Sequence, residues 1–412
     1  MSYKKRTGCA VCKSTDLKII MEYGNVPLAG YFPKNLNSVL DFTYNLDLVY
    51  CKKCSLVQTD SIIDGDVLFE DYRYMSSVGL SGHFKEVAKM LVEDFNPSNL
   101  LEIGSNDGVL LLPLMDLGVD AIGVDPASNV VDVALSKGCN VFKDYFSEDF
   151  VVRNQFEKKF DMIVANNCFA HIDDIHSIVR GAKLALSENG RMVIEVHYIK
   201  DLIERTQYET VYHEHLYYYS VSSLHNLFEQ YGMTIERVDR IPIHGGSIRV
   251  IISNRVIELN SSIVSILTEE KKSGLTSFDH FKNFGDLSIK HIDKIKNKVA
   301  DLKKSGSKIV GYGASGRGNI FCKLCNLDSE QIDYIIDESP ERIGRFTPNT
   351  GIPIVSKKVL DDDHPDYIFI FAWNYSKMII DKLKDRGFKF IIAFPDLMII
   401  EDSKELDETI FI

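Results

Sequence analysis

The sequence predicts an α/β protein in which a small cysteine-bearing domain precedes two doubly wound, largely parallel sheets. Three observations carry this: apolar strand-like runs alternate with helical stretches from about residue 99, the alternation starts afresh near residue 307, and two Cys-x-x-Cys pairs stand near the N-terminus. Such alternation calls for parallel strands joined by crossover helices. At 412 residues the chain exceeds what a single core supports, so several domains are expected.

A formal net charge of −12 excludes a broad nucleic-acid surface, which needs a basic footprint. The N-terminus, "MSYKKRTGCAVCKS", runs into cysteines instead of an apolar signal core, and no apolar run approaches membrane-spanning length. A cytoplasmic protein with neither nucleic-acid nor membrane partner is expected. Eight cysteines, four of them in the two early pairs, fit thiolate ligands in a reducing compartment.

Residues 1 to about 65 read as short β runs, with "NLDLVYCKKCSLVQT" as two strands flanking a cysteine knuckle. This piece is too small to fold on apolar burial alone. Cys9, Cys12, Cys51 and Cys54 place four thiolates in two chelating turns, the pattern of tetrahedral zinc. With all four positions filled by protein, the Zn2+ is expected to be structural. A helix follows from about Ser81 to Phe95, then the strands "NLLEIG", "DAIGVD", "NVFKDYF", "FDMIVANN" and "GRMVIEVHY". A helix at "SSLHNLFEQYG" leads to two antiparallel strands, "MTIERVDRIPI" and "SIRVIISNR", joined at His244-Gly245-Gly246. A charged helical stretch then connects to "SKIVGYG", "IDYIIDE", "YIFIFAW" and "FKFIIAF". The resulting units are 1–68, 69–257, a helical connector over 258–305, and 306–412. Cys322 and Cys325 lie on a predicted helix without a second pair and read as half-buried helix cysteines.

In "NLLEIGSNDGVLL" a strand delivers Glu102, Gly104 and Gly108 into a helix, so that backbone amides approach a ligand. Asp125, ending the next strand, is placed to accept hydrogen bonds from ribose hydroxyls. The absence of Gly-x-Gly-x-x-Gly here favours a nucleoside ligand without a pyrophosphate, namely S-adenosylmethionine. The second loop, "SKIVGYGASGRGN", does spell Gly311-x-Gly313-x-x-Gly316, with Asp337 ending the following strand and Arg317 available to grip phosphate. Its residues leave a dinucleotide site and a phosphate site for a nucleotide-linked substrate equally open.

"VANNCFAHIDDI" puts Asn167 and His171 at the carboxyl edge of a strand, where ligands sit in such sheets. "YHEHLYYYS" mimics the start of a His-Glu-x-x-His metal helix, but Tyr217 stands where the second histidine is required. Tyr217, Tyr218 and Tyr219 read as packing. His213, Glu214 and His215 are costly to bury in succession and are expected to line a wet or functional cavity, with a histidine as general base. The aromatic cluster "DYRYMSSVG", which includes Tyr74, reads equally as packing or as ligand contacts.

These stretches, together with "LFEDYRYMSSVGLSGHF", "IPIHGGSIRV" and "DESPERIGRFTPNTGIPI", occur in one order over nearly the whole chain. They resemble the sugar C-methyltransferases that install a branch methyl on nucleotide-linked keto-deoxysugars. The resemblance implies a central class I methyltransferase sheet, a zinc-binding N-terminal domain, and a C-terminal Rossmann-like domain that helps hold the nucleotide sugar, moving the second glycine loop away from NAD. It implies that Tyr74, Tyr212, Glu214 and His215 surround the sugar, with Asn167 and His171 beside them. Glu102, Gly104, Ser105, Asn106, Gly108, Asp125 and Asn166 would hold the methyl donor. His244, Gly245, Gly246 and Arg249, with Gly313, Ser315, Arg317, Asp337 and Arg342, would hold substrate. Two departures bear on the nucleotide: Arg317 replaces a usual lysine, and Pro348-Asn349-Thr350 replaces a proline-glycine-threonine turn. The base is therefore left among dTDP, GDP and CDP sugars, and the chain is expected to be a monomer or small homo-oligomer.

Under this resemblance His215 would remove the proton alpha to a C4 ketone, at C3. Glu214 would orient the sugar or His215, and Tyr74 and Tyr212 would stabilise the enolate oxygen. A sugar O-methyltransferase, an NAD-dependent nucleotide-sugar oxidoreductase and a non-catalytic binding protein are the rival readings.

Overall fold

The structure, a computed structural model, describes residues 3–40, 42–69 and 76–402. Its first 69 residues supply β1 (Tyr3–Lys5), β2 (Leu17–Pro27), β3 (Thr43–Cys51), β4 (Val57–Thr59) and β5 (Ser61–Ile63). After the helix Ser77–Phe95 come β6 (Asn99–Ile103), β7 (Asp120–Asp125), β8 (Asn140–Lys143), β9 (Phe160–Asn166) and β10 (Leu186–His197). β11 (Tyr217–Tyr218) precedes the hairpin of β12 (Thr234–Ile241) and β13 (Ser247–Ser253). Helices Ser261–Lys272 and Phe278–Lys304 lead to β14 (Ile309–Tyr312), β15 (Ile335–Asp337), β16 (Ile354–Ser356), β17 (Tyr367–Ile370), β18 (Lys389–Ile392) and β19 (Met398–Ile400).

The central sheet runs β12-β13-β10-β9-β6-β7-β8. β6, β7, β8, β9 and β10 are parallel to their neighbours, while β13 pairs antiparallel with both β10 and β12. This is the order of a class I methyltransferase sheet. Its central strands are apolar on both faces, as parallel strands covered by helices on both sides must be. The two-residue period divides them: Leu100, Met162, Val164 and Val193 pack on one side, and Leu101, Ile163, Ala165 and Ile194 on the other. Strand order reverses between β6 and β9, opening a crevice at their carboxyl ends.

The C-terminal sheet runs β16-β15-β14-β17-β18-β19 and is parallel except for β19, which pairs antiparallel with β18. It is therefore a mixed sheet, largely parallel as the alternation of strands and helices predicts. Cys322, on helix Gly316–Leu324, and Cys325, just after it, are fully buried, not half-buried, because they pack in a core that also holds Tyr208, Phe281 and Phe369.

The N-terminal sheet departs most from expectation. Its order is β11-β4-β3-β2, so its last strand comes from the tyrosine-rich stretch beyond residue 216. Gln58, fully buried on β4, ties in the first cysteine turn by accepting the Ala10 N–H at 3.0 Å. The sulfurs of Cys9, Cys12, Cys51 and Cys54 all lie within 4.8 Å of one another, with Cys9–Cys54 at 3.5 Å and Cys12–Cys51 at 3.4 Å. Zn–S bonds of about 2.3 Å put tetrahedral sulfurs roughly 3.8 Å apart, so the quartet fits zinc with no position left for substrate.

The connector is not a solvated tether. Glu270, buried on helix Ser261–Lys272, accepts the Val221 and Ser222 N–H groups at 2.8 Å each and the Tyr198 hydroxyl at 2.8 Å. A carboxylate there satisfies orphan donors of helix Val221–Glu229 and complements its dipole. Helix Phe278–Lys304 crosses β2 so closely that a Cβ on Gly285 would lie 2.2 Å from the Ile20 carbonyl oxygen. Among the described residues no helix is long and apolar enough to cross a membrane.

Stripping the metal with a strong chelator should melt the N-terminal sheet and abolish methyl transfer. S-adenosylhomocysteine binding by the central sheet should survive. Calorimetric titration beside a thermal melt checks both; full activity in metal-free protein would contradict the assignment.

Candidate active site

The methyl-donor crevice is built where β6 and β9 diverge. Gly104 has φ +68°, and a Cβ there would lie 2.8 Å from that of Cys168. Gly108 has φ +80° and faces the Cys139 sulfur at 2.7 Å from the same notional atom. Both glycines are thus demanded twice, by conformation and by space. Asp125, ending β7, accepts the Asn106 N–H and the Ala127 N–H at 2.9 Å each, which fixes its carboxylate at the rim. Burial raises its pKa, and these two amides offset part of the rise.

Several buried polar groups here have no hydrogen-bond partner among the described residues: Glu102 Oε2, both side-chain polar atoms of Asn166, and Asn167 Oδ1. Burial pushes the Glu102 carboxyl well above its usual range, with Asp125 and Asp107 adding to the effect. Orphaned groups of this kind carry a cost that a ligand relieves. S-adenosylmethionine, with its ammonium, sulfonium and ribose hydroxyls, matches this donor and acceptor set. Ser105 is different: its hydroxyl turns beneath the loop, where a Cβ on Gly123 would come within 2.4 Å of it.

Beside the crevice stands a ring of histidines. The His215 ring lies 5.0 Å from His171, 5.0 Å from His197 and 4.1 Å from Tyr212, and His197 lies 5.6 Å from His244. His215 Nδ1 is 3.1 Å from the Thr210 carbonyl, which only accepts, so Nδ1 carries the proton. Nε2 therefore keeps its lone pair and receives the Tyr212 hydroxyl at 2.8 Å. Burial, then His171 and His197, push the His215 pKa well below its ordinary value and hold the ring neutral. Glu214 goes the other way: burial pushes it up to about 7, partly offset by the Gly30 backbone amide.

The stretch containing these residues is held by its backbone. Leu216 donates its N–H to the Ala170 carbonyl at 2.9 Å, and its own carbonyl accepts the Thr59 N–H at 3.0 Å. Tyr217, Tyr218 and Tyr219 are buried packing residues, as expected. His213 does not join its neighbours at the cleft. It is fully buried against the N-terminal domain, 5.9 Å from the Tyr44 ring, with Nε2 3.4 Å from the Asn45 carbonyl. The chain turns here, with the His215 N–H bonded to the Tyr212 carbonyl at 3.0 Å, so the side chains within the turn diverge, which corrects the expectation that 213, 214 and 215 share one cavity. Tyr74 lies outside the described residues.

Two groups of residues not singled out from sequence complete the site. Glu195, fully buried on β10, accepts from Arg249 at 2.7 Å and from Asn167 Nδ2 at 3.1 Å, and pairs with His83 Nε2 at 2.9 Å. Burial raises its pKa, but His83 and Arg249 outweigh that and hold it below the usual range. Arg249 is thus brought to the site with its guanidinium committed to Glu195. Glu209, also buried, accepts the Trp373 indole N–H at 3.0 Å and lies 3.7 Å from Arg317. Arg317 is therefore held at the junction with the histidine ring, its guanidinium 5.4 Å from the Trp373 ring. His197 carried a readable signal, the carboxyl end of a strand; the buried pairs carried none.

The remaining predicted residues have largely local partners. A Cβ on Gly245 would meet Gln207 at 2.6 Å, and one on Gly246 would meet Asp201 at 2.2 Å, so this pair permits close packing after the hairpin turn. Gly313 has φ +90° and abuts Ala372, and Gly316 abuts Ala29 at 3.2 Å from its notional Cβ. Ser315 caps its own helix through the Gly318 N–H, while Asp337 accepts the Ala314 and Ser339 N–H groups at 2.8 Å each. Arg342 sits 3.6 Å from Asp337 and over the Phe32 ring. Asn349 takes φ +63°, the conformation glycine would supply, and bonds to Val39 and Thr43 of the N-terminal domain.

The strand order, the donor crevice and the four-cysteine site together define a class I S-adenosylmethionine-dependent methyltransferase with a zinc-site domain at its N-terminus. Family models agree region by region: a zinc binding domain over residues 9–69, a methyltransferase domain over 74–238, and a C-methyltransferase C-terminal domain over 242–395. The C-methyltransferase NovU of Streptomyces niveus is 30% identical over 413 residues, covering 97% of this chain and 98% of NovU. The chain belongs to that family of C-methyltransferases. The ubiquinone biosynthesis O-methyltransferase of Azorhizobium caulinodans is 30% identical over only 114 residues, 27% of this chain and 45% of that protein. Among solved structures, the magnesium protoporphyrin IX methyltransferase of Synechocystis PCC 6803 gives a TM-score of 0.33 at 15% identity, over 43% of this chain and 80% of that one. The PH0226 protein of Pyrococcus horikoshii OT3 gives 0.38 at 14%, over 46% and 97%.

Asp125→Ala should weaken S-adenosylhomocysteine binding about tenfold or more, measured by calorimetry, since it removes a carboxylate that also braces the loop. Burial pushes His171, His213 and His244 each down to about 4. Their unfolded forms bind more protons, so their stabilisation is complete above pH 6.5 and is lost as pH falls toward 4. His213→Asn should flatten that acid-side loss in urea unfolding midpoints taken from pH 7 to pH 4.

Proposed function

We propose that this C-methyltransferase acts on a nucleotide-linked 4-keto-6-deoxysugar, methylating the carbon alpha to the ketone, at C3. The sugar class rests on the motif resemblance; the base assignment rests on one observation, the Tyr212–His215 pair with its fixed tautomer beside the donor crevice. The full-length match to a C-methyltransferase favours carbon as the acceptor, whereas the O-methyltransferase relatives match the central region alone.

When bound, S-adenosylmethionine supplies an electrophilic methyl on a sulfonium. Glu102, Asn166 and Asp125 hold it, and the loop of Gly104 to Gly108 presents backbone around it. His215, neutral through burial, offers Nε2 to the substrate proton once the Tyr212 hydroxyl turns to the substrate oxygen. The C–H electron pair moves into the enolate, and the proton stays on Nε2. Tyr212, with Tyr74 as a partner candidate, donates to the enolate oxygen; one such donor is worth about 3 kcal/mol. Glu214 binds a sugar hydroxyl, His171 and Asn167 line the reacting edge, and Arg317 with the loop of Gly313 and Ser315 faces the nucleotide side. An enclosed pocket strengthens these interactions by excluding water.

Exchange in deuterium oxide without methyl donor tests the base. Wild type should wash deuterium into the alpha carbon, and His215→Asn should slow this by about 100-fold or more. Full exchange by the variant would pass the role to His171. A panel of dTDP, GDP and CDP 4-keto-6-deoxysugars, with NMR of the product, separates a quaternary carbon methyl from a methoxy.

A further inference from the structure

The turn after β2, Ala29-Gly30, is where all three parts of the chain meet. Ala29 is buried; its carbonyl accepts Asn319 Nδ2 at 3.0 Å, and its Cβ faces Gly316, one residue before Arg317. Gly30 is exposed, and among the described residues a Cβ built on it would meet one group within 4 Å, Glu214 Oε1 at 3.7 Å. Its φ lies in the range open to any residue, so neither conformation nor crowding by the fold requires glycine here. The other glycines of the site contrast with it: Gly104, Gly245, Gly246 and Gly313 all have positive φ and a neighbour inside 3 Å.

What the missing side chain does at position 30 is leave space, among the described residues, beside the Glu214 carboxyl, which the Gly30 backbone amide also reaches. We infer that the Ala29-Gly30 turn is one wall of the substrate pocket and that Gly30 is a specificity-determining residue, its vacancy admitting the substrate's polar ring substituent to Glu214. The zinc-site domain thereby touches the substrate itself, in addition to positioning the catalytic stretch. The inference deepens the sugar reading and rests on it for the identity of the substituent, a hydroxyl. The opening over Glu214 stands on geometry alone.

Two measurements on the full chain separate these. Labelling with a water-soluble carbodiimide and an amine, read by mass spectrometry, should modify Glu214 in wild type. Labelling should fall progressively in Gly30→Ala and Gly30→Val, with zinc content and S-adenosylhomocysteine affinity unchanged. Equal labelling of Glu214 in all three proteins would overturn the opening. Kinetics with dTDP-linked 4-keto-6-deoxyhexoses, with and without a 2-hydroxyl, test its use. Gly30→Val should raise KM about tenfold or more for the sugar bearing the hydroxyl, with kcat within about twofold. Unchanged KM for every sugar that wild type methylates would overturn the role in specificity. If wild type methylates none of them, the sugar reading fails, while the labelling result still decides the opening.

Discussion

The site depends on the backbone of Leu216. Its N–H is bonded to the turn that carries His171, and its carbonyl to β4, the strand that follows the second cysteine pair in the N-terminal sheet. These two bonds set His215 against His171 on one side and fix Tyr217 and Tyr218 in β11 on the other. Neither bond involves a side chain, so the arrangement tolerates wide substitution but not a shift of register. A one-residue slip would put Glu214 or Leu216 in the place of His215. The zinc quartet, though remote from any substrate, is the anchor of that register, because it closes the knuckle between β3 and β4.

The polar groups around the cleft fall into two electrostatic populations. Glu195 with His83 and Arg249, and Glu209 with Trp373, are closed pairs, each carboxylate engaged by partners inside the protein. Glu102 and Asn166 are open, buried without partners and poised for an incoming ligand. The histidines sit between these populations. Burial keeps them neutral, so they offer lone pairs in a region that already receives the positive charge of Arg317. A protonated histidine ring would repel a sulfonium, and its neutrality is part of what makes the cleft hospitable to one.

The strand alternation, the cysteine quartet, the acidic-glycine loop and the packing role of Tyr217 to Tyr219 were all legible in the sequence. Each is written in a local pattern: a two-residue period, a chelating spacing, a glycine needed at a turn. What escaped reading depends on pairs distant in sequence. Glu195 looks like any residue of a buried strand until His83 arrives from a helix, and His213 looks like part of the cleft until the N-terminal sheet claims it. The Gly311 to Gly316 signature suited a dinucleotide by spacing, yet its glycines are occupied by Phe371, Ala372 and Ala29, a packing meaning that no local pattern distinguishes. Glu270 was masked by the charge of its helix, though it serves as a buried cap.

Borrowing β11 has a bearing on how the chain is made. All four cysteines emerge from the ribosome early, so the metal knuckle can close while most of the protein is still unsynthesised. The sheet it organises must then wait, with β4 as a bare edge, until residues 217 and 218 arrive. An unpaired edge is a template for the wrong strand, and the nascent chain carries that exposure throughout translation of the central sheet. The N-terminal domain, completed only by β11, is therefore poorly suited to life as a separable module.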